Sequence, residues 1–145
     1  MVRILVVEDS ATMRTYVRSA LEGVPELGND LEIVEASSGF DALRLLPRGA
    51  YDLVITDINM PDINGLELIR FVRQSAHLRG VSLLIISTQA AERDIDRGLK
   101  LGANAFLAKP FTPEALRDAV ITSLSGRLSS HASTNPDTAP DGSGA

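Results

Sequence analysis

Acids, hydroxyl groups and an amine follow four short aliphatic runs of the sequence, where each run ends. In chain order these side chains are Glu8, Asp9, Asp57, Ser87, Thr88 and Lys109. If the runs are neighbouring strands of one sheet, three carboxylates and an ammonium group meet at one edge. Two carboxylates 4 Å apart repel each other by roughly 4 kcal/mol at an effective dielectric of 20. The cluster therefore requires a cation.

Magnesium suits such a cluster because it prefers oxygen ligands and is commonly held by one or two carboxylates plus a phosphate. Manganese is the second candidate, whereas zinc or copper sites built on sulfur are excluded by the absence of cysteine. A carboxylate beside magnesium and a lysine can accept a phosphoryl group. Asp57 is the candidate nucleophile, Lys109 neutralises the phosphoryl oxygens, and the Ser87 hydroxyl bonds to one of them. No strand end carries the clustered glycines of a phosphate-binding loop, so dinucleotide and flavin binding rank low.

The elements that must position these groups are readable from the periodicity. Unbroken aliphatic runs such as 4–7, 53–55 and 83–86 are typical of strands buried on both faces, and the weaker runs 31–36 and 105–108 suit sheet edges. Helical spacing separates them, with Ser10 or Thr12 as the first cap and Gly102 as a helix stop. Alternating strands and helices predict a parallel α/β sheet, whose ligands gather beyond the carboxyl ends of the strands.

Length and charge limit which classes of protein this sequence can belong to. The 145 residues suit one domain, expected over 1–125, and the polar composition from Gly126 predicts a disordered tail or linker over 126–145. Nineteen acidic against fourteen basic residues give a net charge of −5, which argues against DNA binding. The apolar runs are too short for a signal peptide or a membrane span. We expect a cytoplasmic protein that does not insert into membranes.

From about Val2 to Leu124 the sequence resembles the response-regulator receiver domain of bacterial two-component signalling, in its CheY-like single-domain form. The resemblance implies the flavodoxin-like doubly wound fold, with five parallel strands in the order 2-1-3-4-5 and five helices. It also implies magnesium held by Asp9, Asp57 and the backbone carbonyl of Asn59, with Glu8 close by. Asp57 matches the phosphorylated aspartate of the family.

Further motif positions match the family residue by residue. Ser87 and Lys109 match its phosphoryl-stabilising hydroxyl and lysine, and the resemblance implies a cis bond before Pro110. Phe106 matches the aromatic switch that turns inward when the Ser87 hydroxyl shifts, with core packing as the alternative.

Four other positions carry expectations about the loops and about the rate of switching. Asn64–Gly65 reads as a turn pair that tolerates positive φ. Asn59 and Gln89 match positions that influence the lifetime of the phosphoryl group, and Thr88 is bulkier than usual beside Ser87. Gly98 either softens its helix or allows close packing.

The resemblance implies that a histidine kinase or phosphotransfer protein donates from phosphohistidine to Asp57. The downstream protein then binds the face formed by the last strand and its two flanking helices, with chemotaxis or motility as a candidate output. The chain would act on itself only and would not be an enzyme. Two alternatives remain: a receiver fold that binds partners without phosphorylation, and a magnesium-dependent phosphatase, for which the sequence offers no capping insertion.

Overall fold

The computed structural model describes residues 2–88 and 92–132. Five strands alternate with five α-helices along this part of the chain. The strands are β1 (Arg3–Val7), β2 (Glu32–Ala36), β3 (Leu53–Asp57), β4 (Ser82–Thr88) and β5 (Ala105–Lys109). The helices are α1 (Ala11–Glu22), α2 (Gly39–Leu45), α3 (Gly65–Gln74), α4 (Glu92–Leu101) and α5 (Pro113–Ala132).

All strand pairs are parallel, and the sheet order is β2-β1-β3-β4-β5. The predicted α/β fold and strand order are therefore confirmed. The weaker runs do form the two edges, and the central strands β1 and β3 are almost wholly buried. The strand order reverses between β1 and β3, and the carboxyl ends of these two parallel strands lie side by side at the edge where the site was predicted.

Two hydrophobic cores cover the two faces of the sheet. On one face α2, α3 and α4 pack against alternate residues of the strands, and on the other face α1 and α5 do so. Because side chains alternate along a strand, neighbouring residues of each aliphatic run belong to different cores. This double burial explains why the central runs 4–7, 53–55 and 83–86 contain no polar residue.

The helix boundaries agree with most of the predicted signals. Ser10, rather than Thr12, caps α1, with its hydroxyl accepting a hydrogen bond from the Met13 amide at 3.2 Å. Gly102 follows α4 at a φ of 123°, which confirms the predicted stop.

The disordered tail was expected to begin at Gly126, but α5 continues through Ala132. Residues 133–145 of the expected tail lie outside the described residues. No helix within the described part of the chain is long and apolar enough to span a membrane.

Candidate functional site

The alternation of side chains along the strands places three of the predicted site residues on one side of the sheet edge. Glu8, Asp57 and Lys109 each lie two residues beyond an aliphatic side chain that packs against α1 or α5. Since strand side chains repeat every two residues, all three side chains project to that same side. Asp57 and Lys109 are the last residues of β3 and β5, so rigid backbone rather than a loop fixes their positions.

Lys109 bridges the two acids. Its Nζ donates hydrogen bonds to Oε1 of Glu8 at 2.8 Å and to Oδ2 of Asp57 at 2.7 Å. Glu8 is 1% exposed and Asp57 is 6% exposed, so both carboxylates sit where water compensates poorly for charge. The ammonium group is thus the main counter-charge that the chain itself supplies to this pair.

Burial and pairing act in opposite directions on the pKa values of this pair. Burial raises the pKa of Glu8 above its ordinary value, although the hydrogen bond from Lys109 opposes the rise. Burial alone would lower the pKa of Lys109, but its hydrogen bonds with Asp57 and Glu8 together raise that pKa. The ammonium form of Lys109 is therefore secure at neutral pH, and Glu8 takes up a proton at a higher pH than an ordinary glutamate does.

Backbone amides fix the remaining oxygen of each paired carboxylate. The Ser10 amide donates to Oε2 of Glu8 at 3.0 Å, and the Asn59 amide donates to Oδ1 of Asp57 at 3.1 Å. Each carboxylate is thereby held by one ammonium contact and one amide contact. The second contact places Asn59 directly against Asp57.

The acidic cluster fits a hard divalent cation. Glu8, Asp9 and Asp57 each offer an oxygen within 4.8 Å of the other two, and Asp9 is exposed to solvent. Carboxylate oxygens open to water on one side match magnesium, which retains several waters when it binds protein. The predicted ligands Glu8, Asp9 and Asp57 therefore lie together, and Asn59 adjoins them.

Ser87 supplies an independent sign that the site receives a ligand. Its Oγ is fully buried and has no hydrogen-bond partner among the described residues. A buried unpaired hydroxyl destabilises a folded protein by about 1–3 kcal/mol, so such groups are uncommon without a functional reason. Ser87 lies on β4 next to Asp57's strand, with Asp57 paired to Ile86 in the sheet register. Thr88 is exposed and pairs with Lys109.

Phe106 lies on β5 and is 45% exposed, so it does not serve as core packing in this conformation. It pairs with Ile85, two residues before Ser87, so Phe106 and Ser87 project to the same side of the sheet. That is the side on which α4 packs. The Lys109–Pro110 peptide bond is cis, as the resemblance implied.

Gly65 corrects one prediction. Asn64–Gly65 was interpreted as a turn pair that tolerates positive φ, but the described residues with positive φ are Gly28 and Gly102. Gly65 instead opens α3, and a Cβ there would lie 2.3 Å from the carbonyl oxygen of Asp57. Close backbone approach rather than turn geometry therefore requires glycine, and Asn64 is the helix cap.

Two other expectations concern Gly98 and Gln89. A Cβ on Gly98 would lie 2.4 Å from the end of the Ile85 side chain, which favours close packing over a softened helix. Gln89, expected to influence the phosphoryl lifetime, lies outside the described residues.

Sequence reasoning missed two residues that hold the site loops in place. Arg14 donates to the backbone carbonyl of Glu8 at 2.7 Å. Asp62, in the loop after Asp57, accepts hydrogen bonds from the Gly39 and Phe40 amides at 3.1 and 2.8 Å. These amide bonds, led by that from Phe40, lower the pKa of Asp62 to about 2. Neither role leaves a periodic or motif signal, because each depends on contacts between distant segments.

A parallel sheet in the order 2-1-3-4-5, with an acidic cluster and a lysine at its carboxyl edge, defines the class of receiver domains. Comparison with known sequences agrees: residues 4–121 match the response regulator receiver domain, and the chain belongs to that family. It is accordingly a CheY-like receiver of two-component signalling.

Individual relatives support the same conclusion. A chemotaxis protein CheY homolog of Campylobacter jejuni is 36% identical over 117 residues, which cover 80% of this chain and 87% of the relative. Chemotaxis protein CheY1 of Helicobacter pylori is 35% identical, with coverage of 80% and 91%. Among solved structures, chemotaxis response regulator CheY4 of Vibrio cholerae superimposes with a TM-score of 0.76 at 29% identity, covering 86% of this chain and 99% of that chain.

Proposed function

We propose that this chain is a phosphoacceptor: Asp57 accepts a phosphoryl group from the phosphohistidine of a histidine kinase or a phosphotransfer protein. The observation that carries the proposal is the Asp57 carboxylate itself, set 2.7 Å from the Lys109 ammonium within a cluster of acids. A carboxylate held in this way is a positioned nucleophile with a cation in place for the incoming phosphoryl oxygens.

The transfer is a displacement at phosphorus. An Asp57 oxygen forms the new bond to phosphorus while the bond from phosphorus to the donor imidazole nitrogen breaks. The electron pair of that bond returns to the imidazole, which then takes a proton from solvent. Catalysis of this kind consists mainly of positioning and charge neutralisation. Magnesium held by Glu8, Asp9, Asp57 and the Asn59 carbonyl would supply charge neutralisation at the phosphoryl oxygens.

Lys109 and Ser87 stabilise the transferred phosphoryl group in this proposal. Before transfer, Lys109 divides its hydrogen bonds between Glu8 and Asp57. After transfer, its ammonium group pairs with a phosphoryl oxygen, and the unpaired Ser87 hydroxyl gains the partner that it lacks among the described residues. A phosphoryl group therefore stabilises an inward position of Ser87.

The shift of Ser87 is the proposed switch. Phe106 shares its side of the sheet with Ser87 and is exposed before phosphorylation. Space vacated by Ser87 allows Phe106 to turn inward, and the α4-β5-α5 face changes shape. Leu99 on α4 is a second exposed apolar side chain on this face. A downstream protein that distinguishes the two shapes shifts the population between them.

Asn59 is proposed to tune the loss of the phosphoryl group, because its backbone amide donates a hydrogen bond to Asp57 and its position matches one that influences the phosphoryl lifetime in the family. Gln89 is proposed for the same role on the basis of the family resemblance. The chain turns over no external substrate in this proposal, so it is not an enzyme in the ordinary sense. We further propose that it acts in the cytoplasm without binding DNA or inserting into membranes, and that chemotaxis or motility is its output, because its CheY relatives are chemotaxis proteins.

The test is incubation with Mg²⁺ and a small acyl phosphate, followed by intact-mass measurement, with Asp57→Asn as the matched control. We expect the wild type to gain one phosphoryl group and Asp57→Asn to gain none. Chelation of Mg²⁺ should abolish the gain. No uptake by the folded wild type would instead favour a phosphorylation-independent interaction module. Sustained release of inorganic phosphate far beyond the amount of protein would favour a phosphatase.

A further inference from the structure

Both backbone groups of Glu8 are anchored to other segments. Its amide donates to the Ala36 carbonyl of β2 at 3.0 Å, which extends the sheet ladder by one residue. Its carbonyl oxygen accepts from Nη1 of Arg14 at 2.7 Å. Because this carbonyl shares a rigid peptide plane with the Asp9 amide, the bond from Arg14 fixes the orientation in which the chain enters Asp9.

Arg14 is itself held by a carboxylate that it shares with a second arginine. Its Nε donates to Oε1 of Glu35 at 3.1 Å, and Nε of Arg18 donates to Oε2 at 2.7 Å. The two arginines lie one turn apart on α1 and face the same way. Arg18 also contacts the Ile33 carbonyl at 3.1 Å, but no hydrogen bond joins it to Glu8 among the described residues.

We propose that Arg14 is a positioning residue for the cation site: it orients the Glu8–Asp9 peptide so that the Asp9 carboxylate joins those of Glu8 and Asp57. This inference rests on the proposed function, since it concerns the same site. Outer groups that orient metal ligands typically change metal affinity by about 10- to 100-fold when they are removed. Arg14 acts here through a backbone carbonyl rather than by touching the cation.

The charge of Arg14 makes the proposal sharply testable. A guanidinium group near a cation site repels the cation, so loss of the charge alone would tighten Mg²⁺ binding. Loss of the peptide's orientation would weaken it. The two effects have opposite signs, and the positioning role is therefore distinguishable from simple electrostatics.

The experiment measures Mg²⁺ affinity of the full chain by amide NMR titration for the wild type, Arg14→Met, Arg14→Lys and Arg18→Met. Arg18→Met is the matched control because it removes the same charge from the same Glu35 carboxylate. We expect Arg14→Met to bind Mg²⁺ about tenfold more weakly, and Arg18→Met, which loses only charge, to bind it as tightly as the wild type or slightly more tightly. Arg14→Lys keeps the charge but lacks the planar fork that serves two acceptors, so its affinity should fall between those values.

A second readout requires no metal. The Asp9 amide resonance of the metal-free protein should move in Arg14→Met and stay in place in Arg18→Met. Thermal unfolding verifies that each variant is folded. If Arg14→Met does not fold, the Mg²⁺ affinity of Arg14→Lys tests the proposal. Equal or tighter Mg²⁺ binding by the Arg14 variants would overturn the proposal, as would equal weakening in Arg18→Met. A folded wild type that binds no Mg²⁺ would instead overturn the proposed function, and this inference with it.

Discussion

Replacing Lys109 by methionine leaves two buried carboxylates without the cation that bridges them. The ammonium group lies 2.8 Å from Glu8 and 2.7 Å from Asp57, and the Lys109 side chain is only 17% exposed, so this pairing is shielded from solvent. Breaking a buried ion pair by removing one partner destabilises a protein by about 3–5 kcal/mol. Protonation of Glu8, whose pKa burial already raises, would remove one of these two negative charges and limit the loss of stability.

Protonation of Glu8 sets the size and the pH dependence of the loss of stability. Keeping a glutamate of ordinary pKa protonated costs about 3.7 kcal/mol at pH 7 and about 1 kcal/mol at pH 5. A raised folded-state pKa gives stability that is present below the unfolded-state pKa and is lost as pH rises through the folded-state value. We therefore expect Lys109→Met to be destabilised by about 3 kcal/mol at pH 7 and by about 1 kcal/mol at pH 5.

The assay is urea unfolding followed by far-ultraviolet circular dichroism, since the chain has no tryptophan. Lys100→Met is the matched control, because Lys100 is 78% exposed and its contact with Asp96 is 3.5 Å long. Exposed pairs of this kind contribute about 0–1 kcal/mol. Added Mg²⁺ should restore part of the stability lost in Lys109→Met and none of that lost in Lys100→Met. Equal stability of the two variants at pH 7, without pH dependence, would refute the reasoning.

Three other substitutions test separate features. Ser87→Ala removes an unpaired buried hydroxyl, so the unphosphorylated fold should be unchanged or stabilised by up to about 1 kcal/mol in urea unfolding, while phosphoryl uptake slows; clear destabilisation would show that the hydroxyl has a partner. Gly65→Ala should destabilise the fold by about 3 kcal/mol through its backbone clash, and Gly23→Ala, which meets ordinary van der Waals distances, should have little effect. Asp62→Ala should be less stable than the wild type above pH 4. The difference should vanish as pH falls through about 2, because a carboxyl whose pKa is lowered in the folded state stabilises the fold only while it is ionised. A difference that persists under acid would contradict that assignment.

The sheet was predictable because each central strand is buried on both faces, and only unbroken aliphatic runs satisfy both cores. The ends of the strands were less predictable: Asp57 and Lys109 belong to the strands rather than to the loops after them. Polar side chains end an aliphatic run, but backbone pairing continues for one or two residues beyond it. This difference matters because the strands, and not mobile loops, hold both groups.

Other parts of the site could not be inferred from the chain. Gly65 could be expected in a turn from its neighbour Asn64, but only coordinates reveal that the Asp57 carbonyl occupies the space of its missing side chain. Similarly, Arg14 lies on α1 at an ordinary helical position, and its contact with Glu8 depends on the path of the loop between them. Periodicity reports which face a residue occupies, whereas these contacts depend on three-dimensional proximity.

The most direct test of the central claim is to locate the phosphoryl group. Wild-type protein treated with Mg²⁺ and an acyl phosphate is reduced with borohydride, which converts an aspartyl phosphate to homoserine, and the product is digested and sequenced by tandem mass spectrometry. The account predicts homoserine at position 57 and unchanged acids at positions 8 and 9. Modification at another position, or none in folded protein that binds Mg²⁺, would contradict it.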